Sequence, residues 1–226
     1  MTNPAPAPRR PRPTASQLLH EIRCLITDLP RFATAPFYRR QHLRWGATDD
    51  EIRASMPGDE VITKPKYLAT RAITINAPPS AVWPWLVQVG CRRAGFYAHD
   101  LLDNLGHPSS WTILPEFQRL EIGQWVPMSP TPSETTAFKV AGFEVDRWLL
   151  WKQPLSTWSW VLTPTAADST RLVTRLRTDV DWHHPPISTL TTVLNEFGDY
   201  PMMRRMLLGI RDRAETTPLP GNGYAG

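Results

Sequence analysis

The spacing of apolar residues divides the chain into a helical front, a strand-rich middle and a helical end. Between Ser16 and Leu29, the residues Leu18, Leu19, Ile22, Leu25, Ile26 and Leu29 recur at helical intervals, with Thr14 or Ser16 as N-cap. A second helical stretch is expected through Ala35–Arg44. A short third begins at Thr48, where Thr-Asp-Asp-Glu has the form of a capping box. Met56-Pro-Gly-Asp59 signals a turn. Leu68–Ile75 then alternates, with Arg71, Ile73 and Ile75 on one face and Ala72 and Thr74 on the other, as a strand does. Asn76–Ser80 opens a short apolar helix that Gly90 closes, and Pro84 fits it only inside the first turn. Phe96–Leu105 reads as another short helix, closed by Gly106.

Strand signals follow at Gln124–Met128, Thr136–Val145, Arg147–Lys152, Thr157–Thr163 and Thr170–Val180. The last puts Leu172, Leu176 and Val180 on one face and Arg171, Arg175 and Arg177 on the other, so these arginines are expected to face solvent. The connections are too short for crossover helices, which makes the sheet an antiparallel meander. Ile187, Leu190, Val193, Leu194 and Phe197 form one helical stripe. Asp199 can cap a final helix carrying Met202, Met203, Met206, Ile210 and Ala214. This order predicts an α+β fold: a curved antiparallel sheet around a long C-terminal helix, extra N-terminal helices, and a cavity between sheet and helix. The expected parts are a disordered Pro/Arg-rich tail at 1–14, a helical extension at 15–60, the main domain at 61–216 and a flexible tail at 217–226.

Charge changes this picture only at the front. The 226 residues carry a formal net charge of +4, which by itself would suggest nucleic acid or an anionic surface as partner. Residues 1–45, however, hold eight arginines against Glu21 and Asp28, a net +6, and the remaining chain is therefore at −2. The body is not basic, and no nucleic-acid partner is expected. No stretch is long and apolar enough for a membrane span, and Met1–Thr14 lacks the apolar region of a secretory signal. With only Cys24 and Cys91, and no CxxC pair, a reducing cytoplasmic setting is expected. A peripheral membrane or partner role for residues 1–45 is an alternative, motivated by the Leu18/Ile22/Leu25/Leu29 stripe and the arginines, although docking of this helix on the domain is preferred.

Composition adds one strong signal, the ten tryptophans, nine of them between Trp83 and Trp182. Trp148 alternates with Leu150 and Trp158 with Trp160, so each pair points one way on its strand. Such residues line apolar pockets or pack cores. No GxSxG, Walker A or GxGxxG motif occurs, and no cofactor is expected. None of the six histidines has metal-ligand spacing, and Asp181-Trp-His-His184 reads as a loop or strand end, so no metal is expected. His99 and Asp103 stand four apart on the expected helix, a spacing compatible with a general base or with a plain surface pair. Glu116 beside Pro115 could be a buried acid or a turn carboxylate.

The pieces ATRAITINAPPSAVWPWLVQVG (Ala69–Gly90), RAGFYAHDLLDN (Arg93–Asn104), PEFQRLEIGQ (Pro115–Gln124) and MMRRMLLGIRDRAE (Met202–Glu215) resemble the START-like helix-grip superfamily, often called SRPBCC. They are most similar to a bacterial polyketide cyclase/dehydrase-like branch, and the similarity reaches back into RWGATDDEIRASMPGDE (Arg44–Glu60). His99 stands where that branch usually has an aromatic, and Gln124 where an Asp commonly follows the glycine. The resemblance implies a helix-grip fold and a hydrophobic ligand cavity, and it carries no catalytic set with it. The leading expectation is therefore binding, transport or sequestration of a small hydrophobic molecule. The expected wall is Trp85, Tyr97, Trp111, Trp148, Trp158, Trp160 and Met206. The alternative is an acid–base enzyme of cyclase or dehydratase type, with His99, Asp103 or Glu116 as candidates. Oligomeric state does not follow from the sequence.

Overall fold

The computed structural model describes residues 13–166, 168–180 and 185–216. Residues 1–12 of the expected 1–14 tail, the expected tail at 217–226 and the Asp181–His184 stretch lie outside the described residues.

Helix α1 spans Ala15–Thr34 and starts at a reciprocal capping box: Gln17 N donates to Thr14 Oγ1, and Thr14 N donates to Gln17 Oε1. A 310 turn (Ala35–Tyr38) and the one-turn helix α2 (Arg39–His42) follow. Helix α3 (Asp49–Arg53) has the expected Thr48/Glu51 capping box. Strand β1 is Tyr67–Ile75. Helix α4 covers Pro79–Val87, so Pro84 stands at its sixth residue rather than in the first turn as expected. The helix accepts it because it ends three residues later and because Val82, Trp83, Trp85 and Leu86 are buried, which outweighs one lost backbone bond.

The expected helix at Phe96–Leu105 shrinks to α5, Asp100–Asp103. Its front half is not helical because Gly95 and Tyr97 both adopt positive φ, 83° and 59°. Strands β2 (Trp125–Pro127), β3 (Ala137–Glu144), β4 (Trp148–Gln153), β5 (Ser156–Ala166) and β6 (Ser169–Thr178) come next. Helix α6 (Pro185–Val193) runs through a π turn (Leu194–Gly198) into α7 (Asp199–Thr216).

All strand pairings are antiparallel, in the order β1-β6-β5-β4-β3-β2. Register shifts at Val140/Gly142 and Pro164/Ala166 bend the sheet. The bend wraps it around α7, which packs on β1 and α4. This is the helix-grip architecture that the sequence order predicted. Between sheet and helix lies the main core, with Ile75, Leu149, Trp151, Trp160 and Leu172 meeting Met203, Met206, Leu207 and Ile210.

The opposite face of the sheet is covered too, which corrects the expectation that the β6 arginines face solvent. The segment from Leu43 to Thr63 lies across it. Thr70 N donates to Leu43 O (2.8 Å) and Ala72 N to Trp45 O (3.1 Å), so the free edge of β1 is occupied. Arg175 is 3% exposed and donates to the carbonyls of Glu51, Ile52 and Ala54 and to Asp59. Arg171 meets Glu51 with two bonds, and Arg177 reaches Asp59 and Ile62 O. Among the described residues, no helix is long and apolar enough to cross a membrane.

Candidate functional site

The first four residues of α7 that face inward set one side of a cavity of about 190 Å³. Its lining is Phe96, Ala98, Asp103, Met128, Trp158, Asp199, Met202, Met203 and Met206. The loop at 96–103, strand β5 and helix α7 all contribute, so the cavity sits where a curved sheet and its gripping helix part. The close approach of loop and helix depends on Gly209: a Cβ there would stand 2.4 Å from Tyr97 O. Four of the nine lining residues are methionines, a wall of adaptable, polarizable side chains.

Two carboxyls interrupt that wall and differ in kind. Asp199 is engaged at one oxygen: Arg71 Nη1 is 2.6 Å from its Oδ2, and Tyr67 donates its hydroxyl to the same oxygen at 2.6 Å. Arg71 is 1% exposed and also donates to His42 O. Asp103 is not so satisfied. Its Oδ2 accepts from His99 N at 3.3 Å, while its Oδ1 is buried with no hydrogen-bond partner. Burial first, then the charge of Asp100, pushes the Asp103 carboxyl well above the ordinary carboxylate range. The protonated, hydrogen-bond-donating form is thereby favoured.

The expected His99–Asp103 pair is joined through backbone only. His99 precedes α5 instead of lying on it, and its ring turns away toward α1. His99 Nε2 is 3.2 Å from Asp28 Oδ2, but out of line for a hydrogen bond. Phe32 packs beside the ring with centroids 5.7 Å apart. Burial, then the Arg205 charge, lowers the His99 pKa to about 4 against the pull of Asp28. The imidazole is therefore neutral near pH 7. Asp28 itself is raised by burial, but its bonds to Arg205 and Arg31 outweigh this and hold it low. Glu116 lies in an exposed 310 turn, away from the cavity.

The seven expected wall residues separate into four groups. Trp158 and Met206 line the cavity. Tyr97 and Trp111 line a different, outer cleft of about 570 Å³ between α1 and α7, where Arg213 stacks on both rings. Trp111 is 64% exposed. Trp85 and Trp160 are packed solid in the core and touch neither space. Trp148 is on the outer sheet face beside Ser55 and Pro57, because strand alternation puts it opposite Leu149 and Trp151. Tyr97, Trp111, Trp85, Trp160 and Trp148 are thus corrected as walls of the inner cavity. Trp158 is fixed by its indole N–H, which donates to Thr174 Oγ1 (2.9 Å), and by Trp151 edge-on at 5.3 Å.

Sequence reasoning missed Phe96, Ala98, Met128 and Asp199 as lining residues, and placed Met202 and Met203 on the final helix without counting them in the wall. Met128 carried a usable signal, since it closes the short strand signal at Gln124–Met128. Ala98 carried none. Among the described residues, no group of His, Cys, Asp and Glu is arranged to hold a metal ion.

No family model matches the chain, and no curated protein matches it. Solved structures do. A protein from Mesorhizobium loti is similar at 15% identity and TM-score 0.39, over 68% of this chain and 100% of that one. A polyketide-cyclase-like protein from Corynebacterium glutamicum is similar at 15% identity and TM-score 0.38, over 64% and 88%. The di-domain ARO/CYC protein BexL of the BE-7585A biosynthetic pathway is similar at 13% identity and TM-score 0.36, over 70% of this chain and 54% of that one.

Proposed function

We propose that the protein binds a small apolar molecule bearing one hydrogen-bond acceptor in the cavity between the sheet and α7. The observation that carries this reading is the Asp103 carboxyl, buried without a partner at Oδ1 on a wall of methionine and aromatic side chains, Ala98 and the ion-paired Asp199. A buried polar atom with no partner costs free energy of about 1–3 kcal/mol, and a ligand acceptor removes that cost. Apolar cavities of about 150 Å³ take up benzene, so this space suits a one-ring or small two-ring compound. The sequence resemblance to helix-grip proteins agrees with a ligand-holding role, as transport or sequestration, and two free thiols suit a reducing cytoplasm.

Calorimetric titration with phenol and toluene tests the reading. Both should bind the parent protein, phenol more tightly. Asp103→Leu should erase the phenol advantage and leave toluene binding, and Met206→Trp should remove both by filling the space. For anisole, which can only accept a hydrogen bond, the advantage over toluene should fade as pH rises through the raised Asp103 pKa, because the ionised carboxylate no longer donates. Equal affinities for phenol and toluene in the parent would contradict the assignment.

A second reading is favoured by the same raised acid. Strongly perturbed carboxyls mark acid–base sites, and of His99, Asp103 and Glu116 only Asp103 lines the cavity. Cyclase- or dehydratase-type chemistry on this chain would use Asp103 as general acid toward a bound carbonyl or hydroxyl. Turnover by the parent that Asp103→Asn abolishes, with ligand affinity retained, would establish it over simple binding.

A further inference from the structure

Helix α1 sits on the domain the wrong way round for an ordinary surface helix. Its apolar stripe is turned outward: Leu19 is 67% exposed, Ile26 66% and Leu29 62%. What touches the domain is the polar edge, with Phe32 beside the His99 ring. Glu21 accepts a bond from Asp100 N at 3.0 Å, and Asp28, 2% exposed, takes Arg205 and Arg31. A helix held by its acids and displaying its leucines is inverted relative to a core-packed amphipathic helix. The apolar surface continues beyond α1. Phe37 is 84% exposed in the adjoining 310 turn, which packs against the π turn at Leu194–Gly198. Leu190 and Val193 of α6 and Leu194 and Phe197 of the π turn are also exposed, and Arg39 ties the two turns together through Glu196.

We propose that this face docks the protein on an anionic lipid bilayer. Charge decides the occupant. Glu21 and Asp28 are the only acids ahead of Asp49, and both are directed inward. Arg23 and Arg40 are exposed, and Arg9, Arg10 and Arg12 stand immediately ahead of α1 in the sequence. An exposed apolar stripe flanked by arginine, with the Glu196 carboxylate already paired to Arg39, is complementary to acyl chains under anionic headgroups. A second copy of the same face would set like charges against each other. This surface is distinct from the cavity, and the inference stands whatever the cavity holds.

Co-sedimentation of the full chain with vesicles tests it. The protein should pellet with mixed phosphatidylglycerol and phosphatidylcholine vesicles, and at least about tenfold less with phosphatidylcholine alone. Raised salt should weaken binding. Ile26→Glu and, separately, Arg23→Glu should each reduce it several-fold while thermal melts stay unchanged, since both side chains are exposed. Absence of vesicle binding by the parent overturns the proposal, as does binding that neither variant weakens. A concentration-dependent dimer in sedimentation velocity, lost in Ile26→Glu and without vesicle binding, assigns the face to a second copy instead.

Discussion

Asp103 and His99 lie on either side of the same short segment and are perturbed first by burial, with opposite chemical results. Burial shifts the acid toward its protonated form and the imidazole toward its unprotonated one, and His99 is neutral near pH 7. For His99 this has a consequence for stability. The unfolded chain binds a proton at His99 near the ordinary value of about 6.5, whereas the folded ring resists it until about 4. Between those values the unfolded state holds more protons, so stability falls as pH is lowered through this window. His99→Phe, which keeps a ring beside Phe32 and removes the titration, should flatten the loss of melting temperature across that range. A melting profile as steep as the parent's would contradict the assignment. The spacing of His99 and Asp103 was visible in the sequence. Their separation was not, because it depends on a positive φ at Tyr97 and on Asp28, which arrives from α1.

At the scale of elements, the strands and their faces were the most legible feature. Alternation in Thr170–Val180 assigned Leu172 and Leu176 to the core side, where they lie. Alternation fixes faces, however, without saying what covers them. The same pattern left Arg175 to solvent, whereas Glu51, Ile52, Ala54 and Asp59 enclose it. It likewise paired Trp148 with Leu150 correctly and still could not tell that their shared face is the outer one. Helix α7 contains a sharper case. Gly209 costs a helix about 1 kcal/mol relative to alanine, so Gly209→Ala would ordinarily stabilise. Here the added Cβ would stand 2.4 Å from Tyr97 O and 2.7 Å from Tyr97 Cβ. The substitution should therefore destabilise by about 1–3 kcal/mol and loosen the loop that carries Asp103. Urea unfolding decides the sign, and a gain in stability would show that the loop does not press on α7.

For the molecule as a whole, the sheet is held from both sides: by α7 within its curve and by the Leu43–Thr63 segment across its back. The second contact is largely polar and centres on Arg175. Arg175→Met would leave three carbonyls and Asp59 short of a partner in a nearly closed site, at an expected cost of about 3–5 kcal/mol in urea unfolding. The exposed Arg53→Met should change stability by no more than about 0.5 kcal/mol. Equal effects of the two would mean that the back of the sheet does not need its cover. The tryptophans that dominated the composition divide between core, outer face, outer cleft and cavity, and among the described residues only Trp158 lines the cavity. The methionines are the more faithful marker of the site. Met128, Met202, Met203 and Met206 line it, and Met56 lies across the sheet in a separate cluster with Ala72 and Val173. That division gives the most direct test of a ligand cavity at this place. In methyl-labelled methionine NMR, phenol titrated into the full chain should shift the signals of Met128, Met202, Met203 and Met206 together and leave Met56 unmoved. Saturating phenol that moves none of those four, or that moves Met56 as much as them, would contradict the account.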